Sequence, residues 1–177
     1  MLRKALLPPA LAALVVASAA QAQMVGPSPA GGPRAVRDFI GLASASDAFE
    51  IQEGRLAARR ASDPRVRAFA NEMVRAHTAT TRGLKAAIGR AGMPPPPPPR
   101  LSDDQGRMIG QLSGMHGRRF DRTYMDQQVQ AHQAAGQVIG GFAQGGPPGP
   151  IRDAASKTLP IVQHHLDMAR RLQASVR

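Results

Sequence analysis

Three histidines fall where helical spacing would turn them toward one axis: His77, His132 and His165. Each sits on an apolar stripe that repeats every three or four residues. His77 follows Val66, Ala70 and Met73; His132 follows Phe120, Tyr124, Met125 and Gln128; His165 lies between Val162 and Ala169. A fourth stripe carries Glu50, with Glu53 one turn on. Three imidazoles and a carboxylate facing one axis suit Zn, Cu, Ni or Fe. The expected metal set is therefore Glu50, His77, His132 and His165, with Asp121 and Tyr124 as supporting hydrogen-bond partners. The same groups could equally form a buried polar network that needs no metal.

Other chemistries are excluded more firmly. A carboxylate-bridged di-iron site in a helix bundle needs Glu-x-x-His on two helices. The glutamates are Glu50, Glu53 and Glu72, and none has His three residues later. His164 precedes His165, but adjacent helical residues do not share a face, so at most one of them joins the cluster. His116 falls at a helix start and is expected to be exposed. No glycine-rich phosphate loop, nucleophile elbow or zinc-protease motif occurs, so no catalytic residue is assigned. With no Cys, disulfides and thiolate sites are impossible.

These residues need long helices to position them. Strand formers are scarce: aromatics are 3% of the chain and Trp is absent. The first helix is expected over roughly 34–60, stopped by Ser62-Asp63-Pro64, which also caps the second. The second should end near Ala91, with Gly92 as its stop. Six prolines, 94–99, then read as an extended crossover at ~3.1 Å per residue. Ser102-Asp103-Asp104 starts a short helix ending near Gly114. A third long helix runs from about His116 past Gly140, and a glycine-proline turn at 145–150 leads to a fourth. Pro160 should kink that fourth helix or restart it. The architecture expected is all-α, an antiparallel four-helix bundle. Glu50 and His77 lie about 12 and 14 residues either side of the first turn, and His132 and His165 about 14 and 15 either side of the second. At ~1.5 Å rise per residue, all four fall within a helical turn of one level.

The N-terminus addresses the compartment. Arg3 and Lys4 precede an apolar stretch, and Ala20-Gln21-Ala22 offers small residues for signal peptidase. Residues 1–22 read as a secretory signal peptide, 23–33 as a flexible lead and 34–177 as the bundle. No transmembrane anchor is expected after cleavage. The net charge is +11, and most basic residues are Arg. That field favours anionic envelope components, while export and the lack of aromatic platforms argue against nucleic acid.

Several runs then agree with a known family. They are Ala48-Phe49-Glu50-Ile51, Ala61-Ser62-Asp63-Pro64, Phe69-Ala70, Met73-Val74 and His77-Thr78. The second half adds Phe120-Asp121-Arg122, Tyr124, Gln128-Val129, His132-Gln133, Lys157-Thr158-Leu159-Pro160 and His165-Leu166. In this order they resemble a bacterial family of exported proteins, domain of unknown function 4142, over roughly residues 36–172. The resemblance implies a ferritin-like four-helix fold, with Glu50, His77, His132 and His165 as recurrent polar positions. It also implies aspartates just before two of the histidines, where this chain has Ala76 and Ala131. A weak metal site is expected if those carboxylates orient the imidazoles.

The sequence thus points to an exported periplasmic helical bundle without catalytic activity, related to the envelope or to stress, whose inward cluster binds Zn, Cu or Fe. Two alternatives stand beside it: a metal-dependent oxidoreductase of the ferritin-like type, and an envelope-binding module using the arginine-rich surface.

Overall fold

The computed structural model describes residues 32–176. The expected signal peptide and nearly all of the expected lead lie outside that range. Five helices make up the described chain: α1 (Pro33–Arg60), α2 (Pro64–Arg90), α3 (Asp103–Ser113), α4 (Gly117–Gly145) and α5 (Pro150–Ser175). No strand occurs among the described residues. No described helix is long and apolar enough to cross a membrane.

Local chemistry sets the helix ends. Asp63 caps α2 by accepting from the Arg65 amide at 2.8 Å, and Pro64 opens the first turn without needing a donor. At the other end of α2, Gly92 takes φ of 66°, a left-handed conformation that favours glycine. That turn lets Gly92 N donate to Gly89 O and Met93 N donate to Ile88 O, which satisfies two terminal carbonyls. Met93 then folds back onto the cluster that holds Leu84 and Ile88. The helix therefore ends with a hydrophobic clasp, and the proline run leaves from a fixed point. Ser102 and Gln105 form a reciprocal capping box at the start of α3.

Pro160 does not restart α5, because one helix spans both sides of it. The proline removes one amide donor, which would have met the carbonyl of Ser156. Both residues are exposed, so water can satisfy that carbonyl.

α1 packs on α2 and α4 on α5; α1 also meets α4, and α2 meets α5. The four long helices thus close a ring of neighbours, with α3 against α1 and α4. Gly54 allows close approach of α1 to α2: a Cβ there would lie 3.1 Å from the Ala70 carbonyl oxygen and 3.0 Å from a Val74 methyl. Two apolar clusters fill the ends of the bundle. One centres on Phe69, Met73, Leu112, Phe120, Tyr124 and Met125. The other holds Ile40, Leu84, Ile88, Ile139 and Val162, with Phe39 stacked on Phe142 at 4.0 Å between ring centres. Each large side chain buried there contributes roughly 1.5–3 kcal/mol. Between the two clusters lies a belt of buried polar groups: Asp47, Glu50, Glu53, His77, Gln128, His132 and His165.

Candidate metal centre

The belt is built by helical repetition on each face. Asp47, Glu50 and Glu53 recur every three residues on α1, and Gln128 and His132 are four apart on α4. α2 and α5 contribute one imidazole each, His77 and His165. The three rings form a nearly equilateral triangle. Ring centres are 5.6 Å apart for His77 and His132, 5.6 Å for His77 and His165, and 5.5 Å for His132 and His165. One ring nitrogen from each lies within 4.8 Å of the others. Metal–nitrogen bonds of ~2.0–2.1 Å would hold such nitrogens ~3.3 Å apart in a tetrahedral site, inside that limit.

Hydrogen bonds fix what each ring presents. His132 Nδ1 is 2.9 Å from the carbonyl oxygen of Gln128, which can only accept, so Nδ1 carries the proton. The lone pair of a neutral His132 is then on Nε2. His77 Nδ1 is 2.8 Å from Asp47 Oδ1, which favours the same tautomer. Asp47 is itself held: the Thr80 and Thr81 hydroxyls each lie 2.9 Å from its carboxylate. His77 Nε2, His132 Nε2 and His165 Nδ1 are all buried and have no hydrogen-bond partner. A buried polar atom without a partner costs about 1–3 kcal/mol. Three on one cluster of rings form a donor set that lacks an acceptor of its lone pairs.

The electrostatics favour neutral rings at two of the three positions. Burial lowers the pKa of His165 to about 3, and the charges of His132, His77 and His164 push the same way. Burial also lowers that of His132, only partly opposed by Glu50. For His77, burial acts downward, but the Asp47 bond and the Glu50 and Asp47 charges outweigh it, so its pKa is raised.

Glu50 does not join the triangle. Its Oε1 is 3.8 Å from His132 Nδ1, the nitrogen already committed to Gln128, and its Oε2 accepts from Gln128 Nε2 at 2.7 Å. The same amide nitrogen donates to Glu53 Oε2 at 2.7 Å. Burial holds the Glu53 carboxyl well above the ordinary range, with the Glu50 charge adding to the effect and the Gln128 bond opposing it. Glu53 Oε1 and Gln128 Oε1 are buried without partners.

Asp121 lies elsewhere. Its two carboxylate oxygens accept from the amides of Ser62 and Asp63 at 2.9 and 2.8 Å, closing the turn between α1 and α2. It supports no imidazole. Tyr124 is fully buried with its hydroxyl unpartnered, and its rings of contact are Phe69 and Phe120 rather than a histidine. Burial raises its pKa well above the ordinary value, with Glu53 and Glu50 contributing. His116 is exposed at the N-cap of α4, as expected.

The sequence reading missed Asp47. The resemblance implied carboxylates just before two of the histidines, where this chain has Ala76 and Ala131. The structure supplies the His77 partner from α1 and the His132 partner from a backbone carbonyl. The available signal was Asp47 standing one turn before Glu50 on the same face.

Comparison with known proteins places the fold. The crystal structure of a DUF305 fragment from Deinococcus radiodurans is similar, with a TM-score of 0.68 at 17% identity, covering 83% of this chain and 99% of that one. At that identity the likeness shows the fold alone. No curated protein matches the chain. The family model for the domain of unknown function DUF4142 matches residues 17–172, most of the sequence and all four histidine- and glutamate-bearing helices, and the chain belongs to that family.

Proposed function

We propose that this protein is an exported, periplasmic metal-binding bundle that holds one transition-metal ion on His77, His132 and His165. The observation that carries this reading is the triangle of buried imidazoles, each with a partnerless ring nitrogen. Neutral imidazole suits Zn, Cu and Fe. Asp47 and the Gln128 carbonyl orient two of the rings, as the outer partners of ligating histidines ordinarily do. Glu50 offsets the ion's charge from outside the triangle. We read the fold as an antiparallel, ferritin-like four-helix bundle. The short links at 61–63 and 146–149 favour reversal of direction between neighbours, and the proline run at 94–99, exposed except at half-buried Pro96, serves as the crossover. Export rests on the leader at 1–22, and cleavage should leave Gln23 as the first residue.

Metal analysis of the protein purified from the periplasm, followed by competition titration with Zn, Cu and Fe, tests this. The expected result is one ion per chain, lost in His132→Ala and retained in His116→Ala. Uptake should weaken as pH falls through the raised pKa of His77, because ligating imidazole must be neutral. Absence of uptake, or uptake indifferent to His77, His132 and His165, would overturn the proposal. Retention of Met1 on the exported protein would overturn the assigned compartment.

A further inference from the structure

A cleft of about 690 Å³ opens between α2 and α5. Its floor is apolar, with Phe69, Met168 and Leu172, and its rim carries Arg65, Arg75 and Arg171. His165 is the one imidazole of the triangle that lines it, and exposed His164 and half-buried Met168 line it too. The cleft therefore joins solvent to the buried centre at a single ring.

The spacing on α5 matters. His164 and Met168 are four residues apart and His165 and Met168 three, so Met168 neighbours each histidine along α5, while the His164 and His165 rings stand 6.3 Å apart between centres. Two ligands at i and i+4 on one helix face can share an ion. Imidazole and thioether together are a soft pair, suited to Cu(I). The charge of the rim selects in the same direction. Arg65 and Arg75 are each paired with a carboxylate, Asp63 and Glu72, at 2.6 Å. Arg171 has no carboxylate partner among the described residues. A monovalent cation meets half the repulsion from that remaining charge that a divalent one does.

We infer that this cleft is the entry port of the metal centre, in which His164 and Met168 take up Cu(I) and pass it to His165. The inference rests on the triangle as the resident site. Transfer is ligand exchange: a bond from the ion to the Met168 sulfur or the His164 nitrogen is replaced by one to His165, with no change in oxidation state. A port lowers the barrier in both directions equally. It changes the rates of loading and release and leaves the affinity alone.

The test uses the mature protein under reducing, oxygen-free conditions. Cu(I) is supplied with ascorbate, and its uptake and its release to a chromogenic Cu(I) chelator are timed. In the double variant His164→Ala, Met168→Leu, both rates should fall about tenfold, while the chain still reaches one Cu(I). Met168→Leu alone should slow Cu(I) and leave Zn(II) loading as it was, since Zn gains little from a thioether. Unchanged Cu(I) rates in the double variant would overturn the port and leave the triangle standing. A loss of bound copper in that variant would also overturn it, by making His164 and Met168 resident ligands. Wild-type protein that binds Zn but no Cu(I) would overturn the choice of cation. Wild-type protein that binds no metal would remove the triangle reading itself.

Discussion

The turn between α1 and α2 and the belt at mid-bundle both bury carboxylates, yet they treat them in opposite ways. At the turn, Asp121 has an amide for each oxygen. Arg67 completes the closure by donating to the carbonyls of Ala61 and Ser62 at 2.6 and 2.9 Å. In the belt, five buried polar atoms on Glu53, His77, Gln128, His132 and His165 have no partner. A buried polar group that is fully paired holds a fold together. Groups left unpaired around one point cost stability, and the sum is tolerated where something else is to be bound. On the proposed reading, the contrast separates a fastening from a binding site without reference to residue type, since both contain acidic side chains on α1 or α4.

That contrast can be broken by substitution. Asp121→Ala should lose about 3 kcal/mol in chemical denaturation, because two amides at the turn lose charged acceptors. The same variant should keep its metal affinity; a fall would mean the turn and the belt are coupled. Asp47→Ala should do the reverse, lowering metal affinity ~10–100-fold through the unoriented His77 ring. Competition titration would read it, and an unchanged affinity would reduce Asp47 to a packing role.

Glu53→Gln sharpens the contrast through pH. The Glu53 pKa is raised well above its ordinary value of 4.5, so the folded state holds its proton more tightly than the unfolded chain. Stability is then lost as pH rises from about 4.5 toward the folded pKa. Glutamine keeps the shape and cannot ionise. The variant should match wild type near pH 4 and be more stable than wild type near pH 7. Equal stabilities at both values would show that Glu53 ionises freely. The smallest effect is expected at Asp63, a half-buried cap. Asp63→Ala should cost about 1 kcal/mol near neutrality. The difference should fade as pH drops through about 2, to which its contacts with Arg65 lower the pKa. A larger loss would imply that the cap also holds the Asp121 turn.

Helix starts and stops were readable from the sequence because they depend on neighbours in the chain. Asp63-Pro64 and Gly92 act within a few residues of themselves, and both fall where expected. The three histidines were readable for a related reason: a period near 3.6 identifies a face. Periodicity gives a face but not a height. Asp121 shares the inward face of α4 with His132, but the eleven steps from one to the other span about 16 Å of helix. That distance puts Asp121 at the turn. The position of Glu50 depended on Gln128, a residue 78 positions away that captures its carboxylate. Asp47 was hidden for the same reason, since its partner His77 is set by the packing of α1 on α2. Of the two outcomes local preference allowed at Pro160, a restart does not occur, because the buried faces on both sides, Ala155 and Val162 among them, keep α5 continuous.

Tyr124 gives this molecule an optical property. It is the one tyrosine in a chain without tryptophan, so it supplies the aromatic emission and nearly all the near-ultraviolet absorption. It is fully buried, and Glu53 and Glu50 are close enough to act on its hydroxyl. Its spectrum therefore comes from one place, the seam between the apolar end and the polar belt. A change in its emission on adding a metal would report rearrangement at that seam, and its shift on denaturation would report opening of the same bundle. No label is needed, and the colourless background leaves any copper absorption band unobscured.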